Sequence, residues 1–283
     1  MSAIANSAVL VKLNISVWSA TKRNKQLEQE LAASKNADPK ATRMYDNLMV
    51  GSSGHKDIQD YAGNSRLWHA KMTNPWDDKG WRLCPTSLFL DYKQQHNWKR
   101  QEFERMVQQF GNKYATYREV AKEYRGDIFN EEDYPPVEEV LSKYAWNFAV
   151  SPVPSSGHMY IDLPEQELQE LRTACDDEVE RRVQEAVKDN ERRLRKQLEQ
   201  ISEKCAGGDA DGKRWHDTFI SNPLELCHML KHLNVTNDPK LEEARKKLEE
   251  IMEGKTKEMF KDKPEVREEV KKEVDEIIKT YEW

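Results

Sequence analysis

The sequence predicts a mainly α-helical protein that carries a small antiparallel sheet, that is, an α+β fold. Three observations lead to this prediction. Charged residues make up 34% of the 283 residues and hydrophobic residues only 37%, so the chain lacks the apolar material of one deep globular core. Long stretches repeat apolar residues at intervals of three and four, which is the period of an amphipathic helix. Only a few short stretches alternate apolar and polar residues in the way that strands do.

The first predicted element is a strand in residues 9–17, VLVKLNISV. Its odd-numbered residues are apolar and the even-numbered residues from 12 to 16 are polar, which is the pattern of a half-buried strand. A single strand is not stable in water, so it requires a partner elsewhere in the chain. Residues 146–150 and 159–163 also alternate and flank the turn SPVPSSG, which predicts a hairpin that supplies this partner.

A basic turn, formed by Lys22, Arg23 and Lys25, follows the first strand. We interpret it as the solvated exit of the strand, and a contact site for a partner or for nucleic acid is the alternative. Residues 22–33 have the composition of a helix, whereas residues 34–64 contain the Ser, Gly, Asn and Asp residues that are typical of loops. The chain is therefore expected to leave the strand through a short helix and a long loop.

Three tryptophans occur in residues 66–87, a stretch that also contains Pro75, Gly80 and Pro85. This composition indicates an irregular loop that is packed by aromatic side chains. Basic residues are interleaved with the tryptophans, so the loop is also a candidate surface on which the bases of a single strand could stack. We favour the covering of a core, and the candidates for partner or nucleic-acid contact are Trp68, Trp76 and Trp81.

A long helix is predicted from Ser87 onward. Apolar and aromatic residues recur at intervals of three and four from Phe103 to Tyr124, which places them on one buried face. Gly126 follows this pattern and is suited to end the helix.

The longest predicted helix covers residues 164–205. Pro164 stands at its first turn, where a missing N–H loses no hydrogen bond. A narrow apolar stripe runs along about 40 residues, on the order of 60 Å of helix, and predicts coiled-coil-like pairing. Asn190 lies in this stripe between Val187 and Leu194, which makes it a candidate for setting the register of an oligomer.

The C-terminal part predicts three shorter helices after the loop AGGDADG. Short helices gain most of their stability by packing on a neighbour, so we expect them to fold back on the long helix. They cover residues 215–233, 239–252 and 264–281. We divide the chain into a mixed α+β head with an aromatic core, a long helix with a folded-back bundle, and a charged C-terminal helix, which are residues 1–163, 164–253 and 254–283.

The sequence offers no coherent catalytic motif. His228 and His232 are spaced so that both imidazoles could reach one metal ion. The zinc-protease motif needs Glu directly after the first His, and this position is Met229. The stretch GGDADG lacks the acidic residues that a calcium loop requires at its first and last positions. We therefore expect a non-enzymatic protein with no cofactor and no bound metal.

Charge and cysteine content narrow the function further. The formal net charge is -6 and no region is strongly basic, which lowers the expectation of nucleic-acid binding. The four cysteines are far apart and form no CxxC pair, so a zinc framework is not predicted. The N-terminus has no export signal and no apolar run reaches the length of a membrane span, so we expect a cytoplasmic protein without a membrane partner.

Three stretches resemble a family of bacterial and bacteriophage proteins that is catalogued only as a domain of unknown function. They are LVKLNISVWSATKRN, FAVSPVPSSGHMYIDLPEQELQEL and RWHDTFISNPLELCHMLKHLNVTNDPKLEEA. Such proteins are often encoded near a MoxR-type AAA+ ATPase and a CobT-like von Willebrand A protein. The resemblance implies a phage or mobile-element setting, with the host cytoplasm as the location, and an AAA+ ATPase as a candidate partner. It transfers no catalytic residue, and residues 254–283 depart from the family pattern.

Two functions remain in competition. The leading hypothesis is a non-enzymatic adaptor or assembly protein that binds protein partners, or copies of itself as a homo-oligomer, through its helices. The alternative is a single-stranded nucleic-acid binding or annealing protein of phage recombination. The long apolar stripe favours the first function, whereas the aromatic and basic loop favours the second.

Overall fold

The computed structural model describes residues 4–158, 161–207 and 215–281. It confirms the predicted fold class, because the chain is 69% helical and carries a small antiparallel sheet. Among the described residues, no helix combines the length and the apolar character that crossing a membrane requires.

The strands of the described chain form two sheets. The larger sheet has four strands in the order β4-β5-β1-β6, and the smaller sheet pairs β2 with β3. The strands are β1 Ala8–Ser16, β2 Thr21–Arg23, β3 Tyr45–Asn47, β4 Asn74–Pro75, β5 Arg82–Pro85 and β6 Ala145–Pro152. β1 runs antiparallel to β5 with Ala8 opposite Pro85 and Val11 opposite Arg82.

The first strand of the predicted hairpin is confirmed, and the described residues of its second half do not form a strand. β6 contains residues 146–150 and is a neighbour of β1, as expected, but residues 161–163 are not in a strand. Residues 159 and 160 lie outside the described part. Proline has no N–H to donate to a neighbouring strand, and Pro152 and Pro154 end β6. The second partner of β1 is instead β5, which has four residues and is too short to show a period.

The helices account for most of the chain. They are α1 Ile4–Ser7, α2 Lys25–Lys35, α3 Ser53–Lys71, α4 Thr86–Arg125, α5 Val137–Ser142, α6 Glu165–Ala206, α7 Thr218–Leu233, α8 Pro239–Met252, α9 Lys257–Asp262 and α10 Pro264–Thr280. The predicted bounds of α4, α6, α8 and α10 are confirmed to within about two residues, because each helix has a continuous apolar face and begins at a suitable capping or proline position. Most of the loop at residues 206–212 lies outside the described residues.

Helix α3 corrects the prediction of a loop over residues 34–64 and of an irregular loop around Trp68. Its buried face consists of His55, Ile58, Ala62, Ser65 and His69, which recur at intervals of three, four, three and four. Three of these five side chains are polar, so the stripe does not stand out as apolar in the sequence. The helical spacing of these residues is nevertheless visible in the sequence.

The described chain separates into two compact units, each assembled from separated stretches. Unit 1 comprises the described residues within 1–12, 69–93 and 149–283, and unit 2 comprises residues 13–68 and 94–148. The division into segments 1–163, 164–253 and 254–283 stays a prediction about the sequence, because these units follow different ranges.

Unit 2 has the predicted aromatic core. Phe103, Phe110 and Tyr114 from α4 are buried together with Trp18, which follows β1, and with Trp146 from β6. The rings meet in tilted and edge-to-face pairs, such as Trp18 with Tyr114 at a centroid distance of 6.2 Å. Aromatic pairs in these geometries stabilise a core beyond the area that they bury.

Two buried histidines belong to the unit 2 core. His55 Nε2 lies 3.0 Å from the Trp18 carbonyl oxygen, and burial lowers the pKa of His55 from its usual value. His96 Nε2 accepts a hydrogen bond of 2.9 Å from the Trp146 indole N–H, which can only donate. Burial therefore favours the neutral form of His55, and the Nε2 atom of His96 carries no proton while it accepts this bond.

We expect acid to destabilise unit 2 through His55. The unfolded chain binds a proton at this position near pH 6.5, whereas the folded chain binds it only at lower pH. The free energy of unfolding therefore falls as the pH drops below about 6.5, until the folded-state pKa is reached. Denaturant titrations between pH 7.5 and 5 should show a smaller pH slope for His55→Gln than for the wild type. His216→Gln, at an exposed position, is the control, and an equal slope in the two variants would contradict the assignment.

Unit 1 contains the helical bundle that the sequence predicted. Leu194, Leu198 and Ile201 of α6 are fully buried in one apolar cluster with side chains of α7, α8, α9 and α10. The expectation that the short helices fold back on the long helix is confirmed. A second apolar cluster joins Leu10 of β1 and Leu83 of β5 to Val179 of α6.

Candidate protein-interaction surfaces

The basic turn lies in unit 2 and is largely neutralised by its own acidic partners. Lys22 forms an ion pair with Asp133, and Arg23 binds Glu28 through two hydrogen bonds of 2.8 Å. Both carboxylates are almost fully buried, so the two cations serve to satisfy them. The hydrogen bonds from Arg23 hold the pKa of the Glu28 carboxyl below its usual value. Lys25 is the exposed first residue of α2.

The three predicted tryptophans do not share one environment. Trp76 is only 6% exposed and belongs to the apolar cluster of unit 1, so it has no face free for stacking. Trp81 is half-buried beside the same cluster, with the Lys12 ammonium 6.0 Å from its ring centre. Trp68 is a half-buried residue of α3 in unit 2. Of the three, Trp68 remains the candidate for a surface contact in unit 2.

Trp68 belongs to a cluster of aromatic rings around one ammonium group. The Lys99 Nζ atom lies 5.3 Å from the ring centre of Trp68, 5.7 Å from that of Trp98 and 5.9 Å from that of Tyr61. These distances are within the range of cation–π attraction. Burial lowers the pKa of Lys99. We call Tyr61, Trp68, Trp98 and Lys99 the Trp98 patch.

Hydrogen bonds orient the half-buried rings of the Trp98 patch. The Trp68 indole N–H donates to Gln95 Oε1 at 2.8 Å, and the Tyr61 hydroxyl donates to the Lys99 carbonyl oxygen at 3.2 Å. The outer part of the patch is open to solvent, since Trp98 is 61% exposed. The Trp98 patch is therefore a preorganised aromatic surface with one cation, and aromatic residues are enriched at protein interfaces.

Sequence reasoning missed Trp98, although a signal was available. The buried face of α4 includes Leu88, Tyr92, His96 and Phe103, which are separated by four, four and seven residues. Trp98 lies five residues before Phe103 and is off this face. A large aromatic residue off the buried face of a helix indicates an exposed apolar contact.

The beginning of α6 forms a second uncovered surface. From Val179 onward, the apolar face of α6 contributes buried residues to the unit 1 core. Before Val179, the same face continues through Leu168, Leu171 and Cys175, but Leu171 is 42% exposed and the other two are only partly covered. Ile161 and Leu163, just before the helix, are 49% and 41% exposed. The apolar face thus extends beyond the helices that cover it.

Acidic side chains surround this uncovered face. Residues 161–178, which we call the acidic segment, contain seven acidic residues and one basic residue. The acidic residues are Asp162, Glu165, Glu167, Glu170, Asp176, Asp177 and Glu178. Its single basic residue, Arg172, lies 3.8 Å from Glu165. The acidic segment therefore presents leucines on a strongly negative background.

Asn190 is buried within the chain. Its side-chain amide donates a 3.0 Å hydrogen bond to the carbonyl oxygen of Leu233, the last residue of α7. Asn74 donates a 3.1 Å hydrogen bond to the same oxygen. Both bonds cap the C-terminal end of α7, where carbonyl groups have no helical partner. The amide of Asn190 thus has a hydrogen-bond partner in its own chain. Its role in the register of an oligomer stays a prediction.

The histidine pair lies on α7 with its rings close together. The ring centres of His228 and His232 are 5.3 Å apart, and His232 Nδ1 lies 3.2 Å from the Ser87 hydroxyl. Burial and the neighbouring His228 lower the pKa of His232. Within residues 4–158, 161–207 and 215–281, no three or more His, Cys, Asp or Glu side chains form a group that could hold a metal ion.

Comparison with known proteins adds no assignment. No family model, curated protein or solved structure matches this chain.

Proposed function

We propose that this protein is a non-enzymatic adaptor that binds a protein partner through the acidic segment at the start of α6. One observation carries the proposal. A single apolar helical face is buried by the chain itself from Val179 onward and is uncovered over the preceding four turns. A helix that continues its apolar face beyond its own core is suited to bind in the groove of another protein.

The spacing and charge of the acidic segment define the partner surface. Leu168, Leu171 and Cys175 lie three and four residues apart, which is the spacing of anchor residues that enter an apolar groove. The excess of carboxylates favours a partner with basic residues at the rim of that groove, because complementary charge speeds association and fixes orientation. The family resemblance makes a MoxR-type AAA+ ATPase of a phage or mobile element the first partner to test.

The test uses a variant of the acidic segment that leaves the core untouched. Leu168→Asp combined with Leu171→Asp places charges on the uncovered face, and Thr173→Asp adds a charge at an exposed position of the same helix. We expect the double variant to lose the partners that the wild type captures from its native host cell, as identified by mass spectrometry. The captured protein, once purified, should bind the double variant at least tenfold more weakly than Thr173→Asp.

Folding is checked by circular dichroism, and all three proteins should melt alike because the substituted positions lie outside the buried clusters. Equal partner binding by the folded double variant and by the wild type would eliminate the acidic segment as the binding site.

A further inference from the structure

We infer that the acidic segment of one copy of this chain binds the Trp98 patch of a second copy. This inference rests on the proposed function of the acidic segment and adds a second copy of this chain to the protein partners that the segment can bind. The contact is heterologous, because the two copies contribute different surfaces.

The apolar groups of the two surfaces are complementary. The acidic segment offers Leu171 together with Ile161 and Leu163, and each of these side chains is between 41% and 49% exposed. The Trp98 patch offers Trp98, which is 61% exposed, beside the half-buried rings of Trp68 and Tyr61. Exposed tryptophans are the side chains that most often dominate the energy of a protein interface, and they do so when a partner excludes water from them.

The charges of the two surfaces are also complementary. Lys99 forms no ion pair with any described residue, whereas Arg100 and Arg105 on the same helix are each paired with a glutamate. Cation–π contacts leave the positive charge of Lys99 in place, so a carboxylate at the rim of the rings is favourable. Of the seven carboxylates of the acidic segment, Glu178 is bound by Arg181 and Arg182 and Glu165 lies near Arg172, whereas the other five form no ion pair within the described residues.

The same charges disfavour symmetric pairing. An isologous contact between two acidic segments would bring strongly negative surfaces together, and an isologous contact between two Trp98 patches would oppose two Lys99 ammonium groups. Like charges across an interface are destabilising. A heterologous contact repeats from copy to copy, and it produces a ring when the rotation closes and a filament when it does not.

Two single variants test this arrangement by complementation. Trp98→Ala damages only the patch, and Leu171→Asp damages only the segment. Both positions are exposed, so both proteins should fold, as checked by circular dichroism. We expect the wild type to grow in mass with concentration in analytical ultracentrifugation, and each variant alone to associate at least tenfold more weakly. Leu90→Ala changes an 80% exposed leucine of α4 outside the patch and should assemble like the wild type.

The mixture of the two variants is decisive. The intact segment of Trp98→Ala can bind the intact patch of Leu171→Asp, and no further copy can join this pair. We expect an equimolar mixture to form dimers and nothing larger, with dimer formation weakened by added salt because charge contributes. A mixture that stays monomeric at concentrations where the wild type assembles would overturn the inference.

Two other results would also overturn it and would leave the proposed function separately testable. If the wild type is monomeric at all concentrations, a second copy of the chain is not the partner. The adaptor function would still be supported if the Leu168→Asp, Leu171→Asp variant lost the proteins that the wild type captures. A labelled single-stranded oligonucleotide that binds the wild type but not Trp98→Ala, with steep salt dependence, would assign the patch to nucleic acid instead.

Discussion

Replacing Arg125 with Met is expected to lower the free energy of unfolding of unit 2 by about 3–5 kcal/mol, because it leaves the Asp46 carboxylate without its cation and removes one of the two cations at Asp133, which also binds Lys22. The Arg125 side chain is 3% exposed, and its Nη2 atom lies 2.8 Å from Asp46 Oδ2 and 3.6 Å from Asp133 Oδ2. Its Nη1 atom also donates a 3.3 Å hydrogen bond to the Tyr134 hydroxyl. Denaturant titration of both proteins at neutral pH measures the difference.

A matched control is available on the same helix. Arg105 forms an ion pair with Glu102 in which the side chains are 53% and 28% exposed, so water reaches the pair and Arg105→Met should change stability by no more than about 1 kcal/mol. Adding Asp46→Asn to Arg125→Met should recover part of the loss, since the uncompensated carboxylate is then removed. An Arg125→Met protein as stable as the wild type would show that the three charges do not form a buried network.

Truncating Leu198 to Ala is expected to destabilise unit 1 by about 2–5 kcal/mol, the usual range for a leucine in a closely packed core. Leu198 is fully buried, and side chains of α7, α8, α9 and α10 contribute to the cluster that contains it. The loss has two sources, which are the apolar area returned to water and the cavity that the bundle cannot close.

A leucine-to-alanine substitution near the start of α6, Leu171→Ala, serves as the comparison. Leu171 is 42% exposed and faces the uncovered side of α6, so Leu171→Ala should change the free energy of unfolding by about 0.5 kcal/mol. Chemical denaturation followed by circular dichroism compares the two variants directly. Similar losses for Leu198→Ala and Leu171→Ala would refute the division of α6 into a covered and an uncovered part.

The candidate surfaces could be predicted only in part. The apolar face and the acidic charge of residues 161–178 can be read from the sequence, but whether another part of the chain covers them cannot. The Trp98 patch draws on two helices, with Trp68 from α3 and both Trp98 and Lys99 from α4. Their meeting depends on how α3 and α4 pack within unit 2, and no spacing in the sequence reports that.

The sequence by itself determined the helical framework. Helices α4, α6, α8 and α10 carry apolar residues with the helical period, and proline or capping residues mark their starts, so local chemistry already specifies them. It also determined β1, because the alternation of apolar and polar residues from Val11 to Val17 is typical of a strand.

Tertiary structure decided the features that depend on residues distant in the chain. Strand β5 has four residues, and its pairing with β1 makes it a strand. Helix α3 has a buried face that includes Ser65 and His69, so its burial depends on the partners that surround it. Lys22 meets Asp133 although 111 positions separate them in the sequence. The physical reason is common to all three: hydrogen bonds and ion pairs between distant segments form only after the helices have packed, and a pattern of neighbouring residues carries no record of them.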